Sequence, residues 1–234
     1  MYKTGHYIAF PCSDELRATS REFIGLMKGP SPRTQSKKLT SALSLFADEI
    51  IDAFLIDMVR NTELNGPQRK LLEMADSGLK KTAHAVINRF SSKLDIKQQT
   101  GIADHIDSCL LPIERDNPHQ VEFVAIPITQ AFSEELRESY NKLHTDGVDS
   151  SIQSIVANQK AVIDRMFEFL IDRLLSIVKL GAIAQKVVGV AASTCLKMMH
   201  STTEKLLSGM SEAELKVAVG HFEEMLITAP QQAK

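Results

Sequence analysis

Residues 104–111 read DHIDSCLL and residues 220–227 read GHFEEMLI. The two stretches agree position by position at a separation of 116 residues: His105 falls on His221, Ile106 on Phe222, Asp107 on Glu223, Leu110 on Leu226 and Leu111 on Ile227. Followed backwards without a gap, the same separation sets Asp95 on Ser211 and Gln98 on Glu214. Each pair places a helix-capping residue three positions before a Gln or Glu, the layout of a capping box. Further back, His84 falls on His200 and Lys81 on Lys197. Agreement continues upstream in the same order. YIAFP at 7–11 lies on FVAIP at 123–127. SDELR at 13–17 resembles SEELR at 133–137 after a slip of four, and FLID at 54–57 recurs at 169–172 with the slip reversed.

A separation of half the 234-residue chain, held in one order, reads as an internal duplication. The expected fold is an all-α helical bundle of two similar halves, residues 1–116 and 117–234. The halves would pack as one pseudo-two-fold unit, as the subunits of a symmetric homodimer do. The polar stretch ERDNPHQ, 114–120, is the natural boundary. The extended segments ending at Pro11 and Pro127 allow one minor two-stranded pairing, because proline removes a donor and restrains the residue before it to extended geometry.

The composition agrees with a helical globular chain. Hydrophobic residues are 44% and charged residues 24% of the sequence, there is no Trp and there are three Tyr. That mixture disfavours an all-β fold, which draws on aromatic and β-branched strands. The formal charge of −2 gives no electrostatic reason to expect nucleic acid, which demands clustered Lys and Arg. Cys12, Cys109 and Cys195 are odd in number and form no CxxC pair, which fits reduced, buried thiols. No apolar run at the start suits a signal peptide, so a cytoplasmic location is expected.

Helical periodicity dominates the pattern. SDELRATSREFIGLMK starts with Ser13 as N-cap and acids in its first turn. A second helix carries Leu39, Leu43, Phe46, Ile50, Phe54 and Met58 on one face, a third runs from about Pro67 to Leu94, and a fourth from Asp95 to Leu111. In the second half, SEELRESYNKLH is helical and TDGVDSS is a loop. Ile163, Phe167, Leu170, Leu174, Ile177, Gly181, Ala184, Val188, Ala191, Cys195 and Met198 then form one long seam. A polar stripe from Arg165 through Lys179 to His200 keeps phase across Gly181. This favours one continuous helix, with a break at Gly181 as the alternative. Lys179 and Lys186 argue against that segment crossing a membrane.

Catalytic signatures are missing: there is no GxSxG, P-loop, GxGxxG or HExxH. His105 and Cys109 share a helical face, but the matching pair is His221 and Met225, a poor zinc site. KQQTGIADHID resembles a helix-turn-helix in outline, yet has one base and two acids that would face phosphates. The acids Asp48, Glu49, Asp52 and Asp57 crowd one helix and read as a solvated face. The ordinary place for the histidines is the margin of an apolar helix face.

No catalytic residue, metal ligand or cofactor is therefore expected. The leading functional expectation is a non-enzymatic cytoplasmic protein that presents helix faces to a protein partner or to another copy of itself. The alternative is a small-molecule or metal binding protein, conceivably an enzyme, with a pocket between the halves lined by His84, His105, His200 and His221. A third reading is reversible membrane association through 163–198.

Overall fold

The computed structural model describes residues 4–113 and 121–230. The 114–120 connector, and with it the boundary between 116 and 117, lies outside the described residues. Among the described residues the chain is mostly helical, with eight long α-helices, but it is not all-α: four strands form one antiparallel sheet.

The elements in chain order are β1 (Thr4–Pro11), α1 (Asp14–Lys28), α2 (Ser36–Ile51), α3 (Gly66–Ser91), α4 (Ile96–Cys109) and β2 (Leu110–Ile113). After the connector come β3 (Val121–Ile128), α5 (Gln130–Asp146), α6 (Val148–Phe167), α7 (Ala182–Ser208), α8 (Glu212–Met225) and β4 (Leu226–Pro230). Two helices run on through a π-helical turn. From α2 the chain passes through Asp52–Ile56 into Asp57–Val59, and from α6 through Glu168–Asp172 into Arg173–Val178.

The sheet order is β2-β3-β1-β4. The segments before Pro11 and Pro127 do pair, as β1 with β3, with Ala9 opposite Ala125. The two outer strands correct the sequence reading, which carried the fourth helix to Leu111. That helix ends at Cys109, and Leu110 is already extended at φ −92 and ψ 107. Proline is tolerated there because β2 is an edge strand. The registers repeat: Leu110 faces Val124 and Leu111 faces Phe123, while Leu226 faces Ile8 and Ile227 faces Tyr7. One sheet face sends Ile8, Phe10, Val124 and Ile126 into the main core, and the other gathers Ala9, Leu111, Phe123, Ala125 and Ala229.

Helix starts follow local chemistry. Ser13, Asn65, Asp95, Thr129 and Ser211 each accept a bond from a first-turn amide, and Asp95–Gln98 and Ser211–Glu214 are complete capping boxes. The SDELR–SEELR match does not carry the cap. The cap of α5 is Thr129, 116 residues after Ser13, and Ser133 is buried within the helix. The expected loop TDGVDSS shrinks to Gly147, whose φ of +82 turns the chain between α5 and α6.

The long seam is not one helix. It stops at Val178, Lys179 takes the left-handed conformation at φ 44 and ψ 57, and Gly181 is the extended N-cap of α7. Breaking there lets Arg173–Val178 lie on α4, where Gly101 admits it: a Cβ on Gly101 would stand 2.8 Å from Ile177 Cγ2. Asp57–Val59 likewise packs on α8. Each short closing helix is thus covered by a segment from the other half of the sequence. The two longest helices, α3 and α7, pack on each other, with Gly78 close to Met198. The main core draws on residues from Ile8 to Leu226. Among the described residues no helix is long and apolar enough to cross a membrane.

Candidate functional site

The four histidines singled out in the sequence take up two kinds of position. His84 on α3 bonds Asp48 on α2, Nε2 to Oδ1 at 2.8 Å. His200 on α7 approaches Asp164 on α6 at 3.0 Å. Both are half-exposed inter-helix pairs, and neither faces a cavity lined by the others.

The second kind meets the π-turns. A π-turn displaces the backbone ladder and leaves a carbonyl for another donor. His221 on α8 supplies one: its Nε2 lies 2.9 Å from Ala53 O, inside the first π-turn. An oxygen acceptor there requires the proton on Nε2. His105 on α4 stands against the second π-turn, its ring edge-on to Phe169 at 5.5 Å between centroids. The sequence reading placed this histidine at the margin of the core. It is instead 4% exposed, with both ring nitrogens shielded from solvent. Burial lowers its pKa; a hydrogen bond to the Leu170 backbone in the second π-turn opposes that shift, and the Arg173 guanidinium adds to it.

His105 lines a cavity of about 160 Å³ between the helices. Its wall comes from α2, α3 and α4 on one side, and from α6, its extension and α7 on the other, including Phe46, Leu79, Val86, Leu170, Leu174 and Val188. Of the four candidate histidines only His105 belongs to it. Two of the remaining polar groups on the wall are already committed. Thr82 donates to Gly78 O at 2.7 Å, and the Cys109 thiol donates to His105 O at 3.1 Å. Burial pushes the Cys109 thiol up to about 12 and raises that of Cys195, so neither wall thiol is an ionised nucleophile at neutral pH.

The other residues of DHIDSCLL are structural. Asp107 receives Lys28 and Arg21, each at 2.7 Å, and Asp104 receives Lys28 at 3.2 Å. Burial pushes Asp107 up, but Lys28 and Arg21 outweigh it and hold its carboxyl below the usual range.

A second, open cavity of about 360 Å³ lies by the end of β1, lined by Cys12, Ser13, Glu49, Asp52, Asp57, His221 and Glu224 with apolar neighbours. Its acids are largely spoken for. Glu49 accepts from the Ser13 amide at 3.1 Å and from its hydroxyl, Asp52 binds Lys80 at 2.6 Å, and Asp57 pairs with Arg60. Burial raises Glu49, although the Ser13 bonds oppose it, and lifts the Cys12 thiol to about 12. Among the described residues no three His, Cys, Asp or Glu side chains group to hold a metal ion.

No family model matches the chain, and neither the curated proteins nor the solved structures contain one significantly similar to it. Composition and periodicity could not reveal the cavity, because it depends on Arg173–Val178 crossing to α4. The only sequence signal was the His105–Cys109 spacing.

Proposed function

We propose that the protein is a non-enzymatic binding protein for a small apolar molecule, held between its two halves in the cavity at His105. One observation carries this reading: a cavity of about 160 Å³ between the helices whose wall is almost wholly apolar. Ligand sites are typically apolar concavities with a few placed polar groups. The size suits a single ring, since a cavity of about 150 Å³ lined by Leu, Ile and Phe is known to take benzene. The competing expectation, helix faces offered to a protein partner or to another copy, has weaker support. The large apolar side chains left exposed are Leu26, Met74, Ile96, Val187, Val190 and Val217, spread over five helices.

The decisive experiment is native mass spectrometry of the full chain as purified, followed by the same sample denatured, with thermal melts in toluene alongside. A small organic mass excess lost on denaturation supports the reading, as does stabilisation by toluene of about 2.7 kcal/mol at a hundredfold excess over its Kd. Ala191→Leu, which fills the wall, should abolish the toluene effect. A bare mass together with an unchanged melt in toluene overturns the proposal.

We also infer that the chain is two similar helical halves, 1–116 and 117–234, related by a pseudo-two-fold axis. Support comes from positions that correspond at a separation of 116: the strand registers, the caps Ser13 and Thr129, the capping boxes at Asp95 and Ser211, and the π-turns beginning at Asp52 and Glu168. The Asp48–His84 and Asp164–His200 pairs correspond in the same way.

A further inference from the structure

Resting on the cavity reading above, we propose that residues 168–178, the extension of α6, form the movable wall of the cavity. The segment lifts from α4 to admit and release the apolar occupant, turning about the break between Lys179 and Gly181. A ring seated against Leu79, Met166 and Met199, each no more than 2% exposed, reaches its place only if a wall gives way. The extension supplies Leu170, Ile171, Leu174 and Leu175 to that wall. Ile171, Leu174 and Leu175 are only half-buried, so the segment stands between the cavity on one side and solvent on the other.

The corresponding extension of α2 is fastened far more firmly. Residues 52–59 bury Ala53, Phe54, Leu55, Met58 and Val59, bond His221 through Ala53 O at 2.9 Å, and tie Asp52 to Lys80 of α3 at 2.6 Å. Residues 168–178 bury only Leu170 and Val178. They rest mainly on one face of α4, at three places about a turn apart. Gln98 Nε2 donates to Val178 O, Gly101 leaves room for Ile177, and the His105 ring meets Phe169 and the Leu170 backbone. A segment with few buried contacts opens at a lower free energy than one with many. Hinges are short stretches at element ends that absorb a backbone change, and the left-handed Lys179 lies at such a point. The opposite wall, α7, is the fixed side. It is held to α3 at Gly78 and Met198, and to α6 by the Lys160–Glu204 and Asp164–His200 pairs.

The test uses the full chain with toluene as the probe, its exchange rates and Kd read from methyl NMR line shapes, and amide hydrogen exchange alongside. Gln98→Glu keeps the capping box, as Glu214 does at the corresponding position of α8, but has no N–H to give Val178 O. The variant should raise the on- and off-rates of toluene together by roughly three- to tenfold, the worth of one hydrogen bond. Its Kd should stay nearly unchanged, because the closed form still dominates the population. Gly101→Ala presses on Ile177 and should act in the same direction; it carries the test if Gln98→Glu does not fold, as judged by circular dichroism. In the wild type the amides of 168–178 should exchange faster than those of 52–59. Unchanged toluene rates in the folded variants overturn the movable wall and leave the cavity reading standing. Equal protection of the two extensions does the same. If toluene does not bind the wild type, both fall.

Discussion

Ala9 and Ala125 face each other across the central strand pair, and each is the other's counterpart at the 116-residue separation. A two-fold axis normal to the sheet at this point would exchange β1 with β3 and β2 with β4. The register obeys that exchange, since Leu110 opposite Val124 becomes Leu226 opposite Ile8. Among the described residues β1 is the one strand partner of β4, though the two come from opposite ends of the chain.

Neither half should therefore fold alone. Residues 117–234 by themselves leave β4 with no strand to pair with, and α8 without the Asp57–Val59 turn that covers it. Expressed separately, each fragment should show little amide protection in hydrogen exchange, and mixing the two should restore it. Full protection in an isolated fragment would show that the halves are independent domains.

Gly101 on α4 sits against Ile177 of the Arg173–Val178 segment. Gly101→Val drives its side chain into Ile177 and should cost about 1–3 kcal/mol, the usual penalty of overpacking. Gly189, in α7, has nothing within 4 Å of an added Cβ, so Gly189→Ala should stabilise by up to about 1 kcal/mol through helix propensity. Urea unfolding of both variants checks the pair. Equal effects at the two sites would mean that the Arg173–Val178 crossing is absent in solution.

Lys179 gives a third test. A non-glycine residue in the left-handed region costs roughly 1–2 kcal/mol, so Lys179→Gly should raise the thermal midpoint if the break is real. If α6 and α7 instead form one continuous helix, the same glycine lies inside it and should lower the midpoint by a similar energy.

What the sequence disclosed was local. Ser13, Asp95 and Ser211 announced helix starts through side-chain capping, and the strands at Ile8 and Val124 showed in apolar runs ended by proline. What it hid was non-local or lacked a chemical marker. LLPI and LITAP follow helices without a turn residue, so β2 and β4 read as helix ends. Lys179 kept phase with a polar stripe and so concealed the break. A π-turn has no residue signature, and without the π-turn and the crossing there is no way to see that His105 faces inward while His84 faces Asp48.

The inward position of His105 also fixes a pH response. Burial lowers its pKa in the folded chain, with the Leu170 backbone opposing and Arg173 assisting, against an unfolded value near 6.5. Between those two values the unfolded chain binds more protons than the folded one, so stability must fall as pH drops from about 6.5 towards the folded pKa, and the loss levels off below it. Glu49 works in the other sense. Burial raises its pKa, against the Ser13 bonds, so its contribution declines as pH rises above 4.5. The two effects run in opposite directions, so wild-type stability alone does not isolate His105. Comparing urea midpoints of the wild type and His105→Gln from pH 7.5 to pH 5 does. The variant should be destabilised less than the wild type across that range, because it has no ring to protonate. Parallel pH curves for the two proteins would place His105 in contact with solvent and overturn its burial against the second π-turn.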